Sequence, residues 1–136
     1  MDCIFCKIIA GELPSSRVYE DADVLAFLDI KPVNPGHTLV IPRKHFESIH
    51  DTTDELMAKM IVVSKKIAST IQKKLGAEGV NIGMNNGKAA GQIVFHAHIH
   101  VMPRYSRDAF KLWPGKDYGA GERESVAEKI RKNLLP

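Results

Sequence analysis

No apolar run in this sequence is long enough to cross a bilayer, and its first residues lack the hydrophobic core of a signal peptide. The sequence also lacks a large excess of either sign of charge. The net charge is +3 with basic and acidic residues interspersed, which leaves no nucleic-acid footprint and only a mild preference for an anionic small molecule. There are no internal repeats and no low-complexity tracts. Cysteine is limited to two residues in one motif, Cys3-x-x-Cys6. That suits a metal or redox pair in a reducing compartment better than a structural disulfide. These absences lead us to expect a cytoplasmic protein that acts without membrane or nucleic acid.

At 136 residues, 44% hydrophobic and 26% charged, the chain is sized for one domain, residues 1–136, with a core of its own. Asp2 can cap a short helix from Cys3 to Ala10, ended at Gly11. Val18 to Glu20 and Val24 to Leu28 read as strands around a turn, and Thr38 to Pro42 as a third. Thr52 and Glu55 have capping-box spacing ahead of a long helix. In it Leu56, Met60, Val63, Ile67, Ile71 and Leu75 recur at steps of three and four until Gly76. Gly79 to Asn85 reads as a strand, followed by a glycine-containing loop to Gln92. Glu122 to Leu135 can form a closing amphipathic helix with Val126, Ile130 and Leu134 on one face. The fold class is α+β: an antiparallel sheet of about five strands, one long helix and a short C-terminal helix.

The chemistry is concentrated in Phe95-His96-Ala97-His98-Ile99-His100-Val101-Met102, which holds three of the six histidines. Strand alternation puts His96, His98 and His100 on one face and Ala97, Ile99 and Val101 on the other, toward a core. Three adjacent imidazoles pack poorly unless their nitrogens find partners. They could bind a metal, they could supply a nucleophile with neighbours that set its tautomer, or they could be satisfied structural side chains. An ordinary imidazole, with a pKa of about 6.5, is largely neutral and nucleophilic at pH 7. The loop Asn85–Gln92 could add backbone N–H groups and a side-chain amide for phosphate oxygens, which tips the balance toward phosphate chemistry.

This stretch resembles the histidine triad (HIT) family, whose motif is His-x-His-x-His followed by two apolar residues. His96-Ala97-His98-Ile99-His100-Val101-Met102 matches it at every position. The likeness extends through Gly91-Gln92, Asn85, Leu39 to His45, Asp29-Ile30-Lys31-Pro32 and Ile4-Phe5, a core of residues 3–104 with a variable segment at 105–136. The resemblance implies the HIT-like fold, a homodimer, and a hydrolase or transferase acting at the α-phosphate of a purine nucleotide or nucleotide conjugate. By position His98 would be the nucleophile, His100 would bond a phosphate oxygen, Gln92 would lie beside the bridging atom, and His96 would orient the site or bind metal. Asp29 would hold the ribose hydroxyls and Asn85 would lie near the phosphates. Ile4, Phe5, Ile8, Leu13 and Ile30 would form the apolar slot for the base, their alternative reading being plain core. His37, at the start of a core strand, could act on the site through another residue. The preferred substrate is a nucleoside phosphoramidate or related AMP conjugate. The alternatives are a dinucleoside polyphosphate, toward which Pro103-Arg104 points, or regulatory nucleotide binding with negligible turnover.

One position departs from the family pattern: Ile93 stands where Ser or Thr is usual. An isoleucine cannot pass a proton to a leaving group, a contribution typically worth about a hundred- to ten-thousand-fold. The cysteine pair offers half of a tetrahedral zinc site. A branch of the family pairs such a motif with two histidines, which by position are His45 and His96. The implied set is Cys3, Cys6, His45 and His96 around a structural zinc ion.

Overall fold

The computed structural model describes residues 2–135. In chain order it contains α1 (Ile4–Ile9), β1 (Arg17–Glu20), β2 (Val24–Leu28), β3 (Thr38–Pro42), α2 (Asp54–Leu75), β4 (Gly79–Gly83), a 3-10 turn (Lys88–Ala90), β5 (Ile99–Arg104) and α3 (Glu122–Asn133). The strands form one antiparallel five-stranded sheet in the order β1-β2-β3-β5-β4. The expected α+β architecture is therefore the one observed.

The two inner apolar strands, Val24-Leu25-Ala26-Phe27-Leu28 and Thr38-Leu39-Val40-Ile41-Pro42, have no polar face because both sides of the sheet are covered. Alternation sorts their side chains. Val24, Ala26, Val40, Ile99 and Val101 pack against Met60, Val63 and Ile71 of α2. Leu25, Phe27, Leu39 and Ile41 face the other way and pack against Cys3, Phe5 and Ile8 at the N-terminus. The long helix thus builds one side of the sheet, and α1 with the histidines builds the other. Gly36 (φ +101°) lets the loop before β3 pass under the helix end, since a Cβ there would lie 2.8 Å from Leu75 Cδ1.

Several boundaries differ from the sequence expectation. The α1 cap is Cys3, whose sulfur accepts the Cys6 N–H at 3.4 Å; Asp2 instead pairs with Lys7 at the surface. The α2 cap is Thr53, whose hydroxyl oxygen accepts from Leu56 N–H, because Thr52 donates its hydroxyl to Ser48 O and belongs to the preceding turn. Strand β4 stops at Gly83. Strand β5 begins only at Ile99, because β3 pairs with Ile99–Val101 and no further, so His96 and His98 precede the ladder. The C-terminal helix forms but does not close on the core: none of its side chains is buried.

A candidate active site joined to a candidate metal centre

His96, His98 and His100 project to the α1 side of the sheet. The His98 and His100 rings lie 5.0 Å apart, and Phe5 meets His98 and His96 edge-on at 5.2 and 5.8 Å. His96 and His98 are buried, and His100 is half-buried. The three do not share one environment. His96 turns toward the cysteines, whereas His98 and His100 adjoin His37 and Asp29.

Hydrogen-bond partners assign the protons. The Nδ1–H of His98 donates to the His96 carbonyl oxygen at 2.7 Å, which leaves His98 Nε2 with a free lone pair. The Val33 N–H donates to His37 Nδ1 at 3.0 Å, so neutral His37 carries its proton on Nε2. That proton points at His100 Nδ1, 3.0 Å away, and neutral His100 must then be protonated on Nε2. Burial favours the neutral forms throughout. It lowers the pKa of His37 and of His98, and burial followed by the neighbouring His98 and His37 pushes His100 down to about 4. The arrangement sets a lone pair on His98 beside a neutral donor on His100.

Asp29 stands at the edge of this group, its Oδ2 3.8 Å from His37 Nε2 and its Oδ1 accepting the Lys31 N–H. Asn85 is half-buried at the start of the loop before the histidines. The Gln92 amide is held by its own protein neighbours. Its Oε1 accepts the Gly87 N–H at 2.8 Å, and its Nε2 donates to the carbonyls of Glu47 and Val94. The N–H groups of Ala90, Gly91 and Gln92 are also used inside the loop. The loop is therefore self-braced, and Gln92 supports it. Of the expected base slot, Phe5 and Ile8 are buried with Leu13 packed against them. Ile30 is 89% exposed and Ile4 about half exposed, so neither is enclosed by the chain itself. Ile4 instead lines an open cleft of about 670 Å³ with His45, Ile93 and Phe95.

Cys3, Cys6, His45 and His96 bring one ligand atom each to within 4.8 Å of one another. His96 Nε2–H donates to Pro42 O at 2.8 Å, so its Nδ1 lone pair faces the cluster. It lies 3.4 Å from Cys3 Sγ, 3.6 Å from Cys6 Sγ and 3.1 Å from His45 Nδ1. A tetrahedral ion with metal–N of about 2.0–2.1 Å and metal–S of about 2.3 Å requires N···N and N···S edges near 3.3 and 3.6 Å. The donor set and spacing fit such an ion. Asp29, His37 and His100 are a second trio within the same limit. There the tautomers oppose a metal, because His37 Nδ1 is engaged by Val33 and its Nε2 proton lies between the two rings.

His37 and its Val33 partner were the least visible from sequence: a histidine before a strand is a weak signal, and a backbone donor carries none.

A model of the HIT domain matches residues 10–107. The chain superposes on the crystal structure of a HIT family member from Bacillus subtilis with a TM-score of 0.91 and 44% identity, covering 100% of this chain and 99% of that one. A Zn-bound histidine triad family protein from Mycobacterium smegmatis gives a TM-score of 0.78 and 40% identity, over 98% of this chain and 99% of that one. The adenosine 5'-monophosphoramidase of Schizosaccharomyces pombe is 40% identical over 98% of this chain and 99% of its own length.

Proposed function

The chain belongs to the HIT domain family of histidine triad hydrolases, and from that premise we propose that it cleaves purine nucleoside phosphoramidates or related AMP conjugates at the α-phosphate, through a nucleotidyl intermediate on His98. The observation that carries this reading is the bond from His98 Nδ1–H to the His96 carbonyl, which frees Nε2 for attack.

In the first step His98 Nε2 forms a bond to the α-phosphorus while the bond to the leaving group breaks, a phosphoramidate nitrogen protonated from solvent departing as the neutral amine. The positive charge that develops on the His98 ring is stabilised through its Nδ1–H by the His96 carbonyl. His100 Nε2–H donates to a nonbridging phosphate oxygen and offsets charge in the transition state. Water then attacks the same phosphorus and gives up a proton to solvent, the bond from phosphorus to His98 Nε2 breaks, and AMP leaves with neutral His98 restored. Asp29 accepts the ribose hydroxyls, Asn85 borders the phosphates, and Gln92, braced within its loop, lies beside the bridging atom of the scissile bond. Phe5, Ile8 and Leu13 supply the apolar wall for the base, and Ile4 and Ile30 would complete it from the open side. Cys3, Cys6, His45 and His96 would hold a structural zinc ion, whose four protein ligands leave no position for substrate.

The acting unit is a homodimer. Phe110, Leu112, Trp113, Val126 and Ile130 are all exposed on the segment after β5. A 12-residue helix with no buried side chain is marginal on its own, and a second copy of the chain would cover it. A reducing compartment such as the cytoplasm would keep the cysteine pair available to metal. Ile93 favours a second reading, nucleotide binding with negligible turnover, because its exposed side chain has no proton to give.

The deciding experiment is intact-protein mass after brief mixing with an adenosine phosphoramidate, run beside steady-state AMP release, for the native chain and His98→Ala. AMP release with an adduct of AMP mass, both lost in the variant, supports the covalent reading. Binding of AMP without release or adduct moves the conclusion to the second reading.

A further inference from the structure

Asp108 lies just past the residues matched by the HIT domain model, in the segment after β5. Its side chain is 6% exposed, unusual for a surface-segment carboxylate, and every donor around it is accounted for. Arg104 approaches it with Nε at 2.8 Å and Nη2 at 3.0 Å, a two-pronged contact that fixes both groups. The Tyr105 and Phe110 N–H groups close the local turn on the same carboxylate. The remaining donor comes from far away in sequence: Asn34 Nδ2 at 3.1 Å.

Asn34 sits in the loop from Asp29 to His37. This loop contains Pro32 and Pro35, which have no N–H to donate, so few of its own bonds can hold it. Asn34 Nδ2 donates to Pro103 O at 2.9 Å as well as to Asp108, so the amide is tied both to β5 and to the turn that follows it. The Asn34 carbonyl then accepts the His37 N–H at 3.0 Å. Between these anchors the Val33 N–H is aimed at His37 Nδ1. That single backbone donor decides which nitrogen of His37 is protonated, and therefore which nitrogen of His100 is.

We propose that Asn34, held by the Pro103 carbonyl and by an Asp108 carboxylate that Arg104 fixes, is a positioning residue that sets the tautomers of His37 and His100, so that the segment after β5 sets the proton His100 presents to the phosphoryl group. The part concerning the phosphoryl group rests on the hydrolase reading above; the part concerning the tautomers does not. A structural clamp alone would need only the Arg104–Asp108 pair. The added amide bond reaches back to the one loop whose backbone controls the imidazole relay.

The test is long-range ¹H–¹⁵N spectroscopy of the imidazole nitrogens of the full chain, with thermal melting and steady-state kinetics on the same samples. Asn34→Ala removes the tether, and Asp108→Asn is the milder change should the first fold poorly. The native chain is expected to show His37 protonated on Nε2 and His100 on Nε2. In the variants those nitrogen shifts should move toward a mixture of tautomers. With an adenosine phosphoramidate, kcat should fall about ten-fold, the low end of what such supporting partners cost, while KM stays within about two-fold. Lower melting temperatures with unchanged His37 and His100 shifts in both variants would overturn the proposal and leave the clamp purely structural. A native chain without turnover would overturn the hydrolase reading, and the nitrogen shifts would still decide this one.

Discussion

His98 donates its Nδ1–H to the carbonyl oxygen of His96, 2.7 Å away. The residue whose ring faces the cysteine cluster therefore also fixes, through its backbone, the proton on its neighbour. The Cys3, Cys6, His45 and His96 cluster and the candidate active site are one mechanical unit, with Phe5 of α1 wedged edge-on against the His96 and His98 rings.

Loss of metal should be felt in both places. Cys6→Ser, or treatment with a strong chelator, should lower the melting temperature by more than about 5 °C, as expected for losing a few kcal/mol in a chain of this size. His45 Nδ1 and His96 Nδ1, 3.1 Å apart, would then need a proton between them in place of an ion. Metal content by native mass spectrometry and melting by calorimetry give the answer. A chain that binds no zinc and melts unchanged in Cys6→Ser would sink the structural-zinc reading.

Stability should begin to fall with acid above the range in which ordinary carboxylates take up protons. The groups facing His100 are His98, His37 and Asp29, and burial leads in holding its pKa at about 4. A depressed histidine pKa means that the unfolded chain takes up the proton first. The stabilisation is therefore complete above about pH 6.5, the unfolded value, and drains away as pH falls toward about 4. Urea midpoints should drop steadily between those limits, and His100→Gln should flatten that slope. An unchanged slope in the variant would contradict the assignment.

Ile93 is 88% exposed, so Ile93→Ser should leave stability within about 0.5 kcal/mol. A hydroxyl there can pass a proton, so turnover with an alcohol leaving group should rise by about ten-fold or more, and with a protonated amine much less. Equal effects on both substrates would argue against a role in leaving-group protonation.

Removing the residues after Leu112 spares Asp108 and Phe110 and deletes Trp113 and α3. The full chain should sediment at twice 15.1 kDa and the truncated chain as a smaller or weaker assembly. A monomeric full chain, with these apolar side chains still in water, would end the dimer proposal.

Much of this architecture was legible in local patterns. Leu56 to Leu75 at steps of three and four forces one helical face, and Gly76, at φ +74°, ends it; both depend only on nearby backbone geometry. The His-x-His-x-His spacing likewise commits three rings to one side of an extended chain, whatever that side meets. What they meet was decided in three dimensions. His96 finds Cys3 and His45 while His98, two residues on, finds neither, because β5 pairs with β3 only from Ile99 onward and the preceding residues follow Phe46 and Pro42 instead. The Gln92 amide is consumed by Glu47 and Gly87, and the expected closing helix stays uncovered, since neither outcome is set by spacing within its own segment. Asp108 meets Asn34 only because the sheet register brings the end of β5 beside the loop before β3. Periodicity is a property of neighbouring residues; a hydrogen bond across 74 positions depends on every element folded between them.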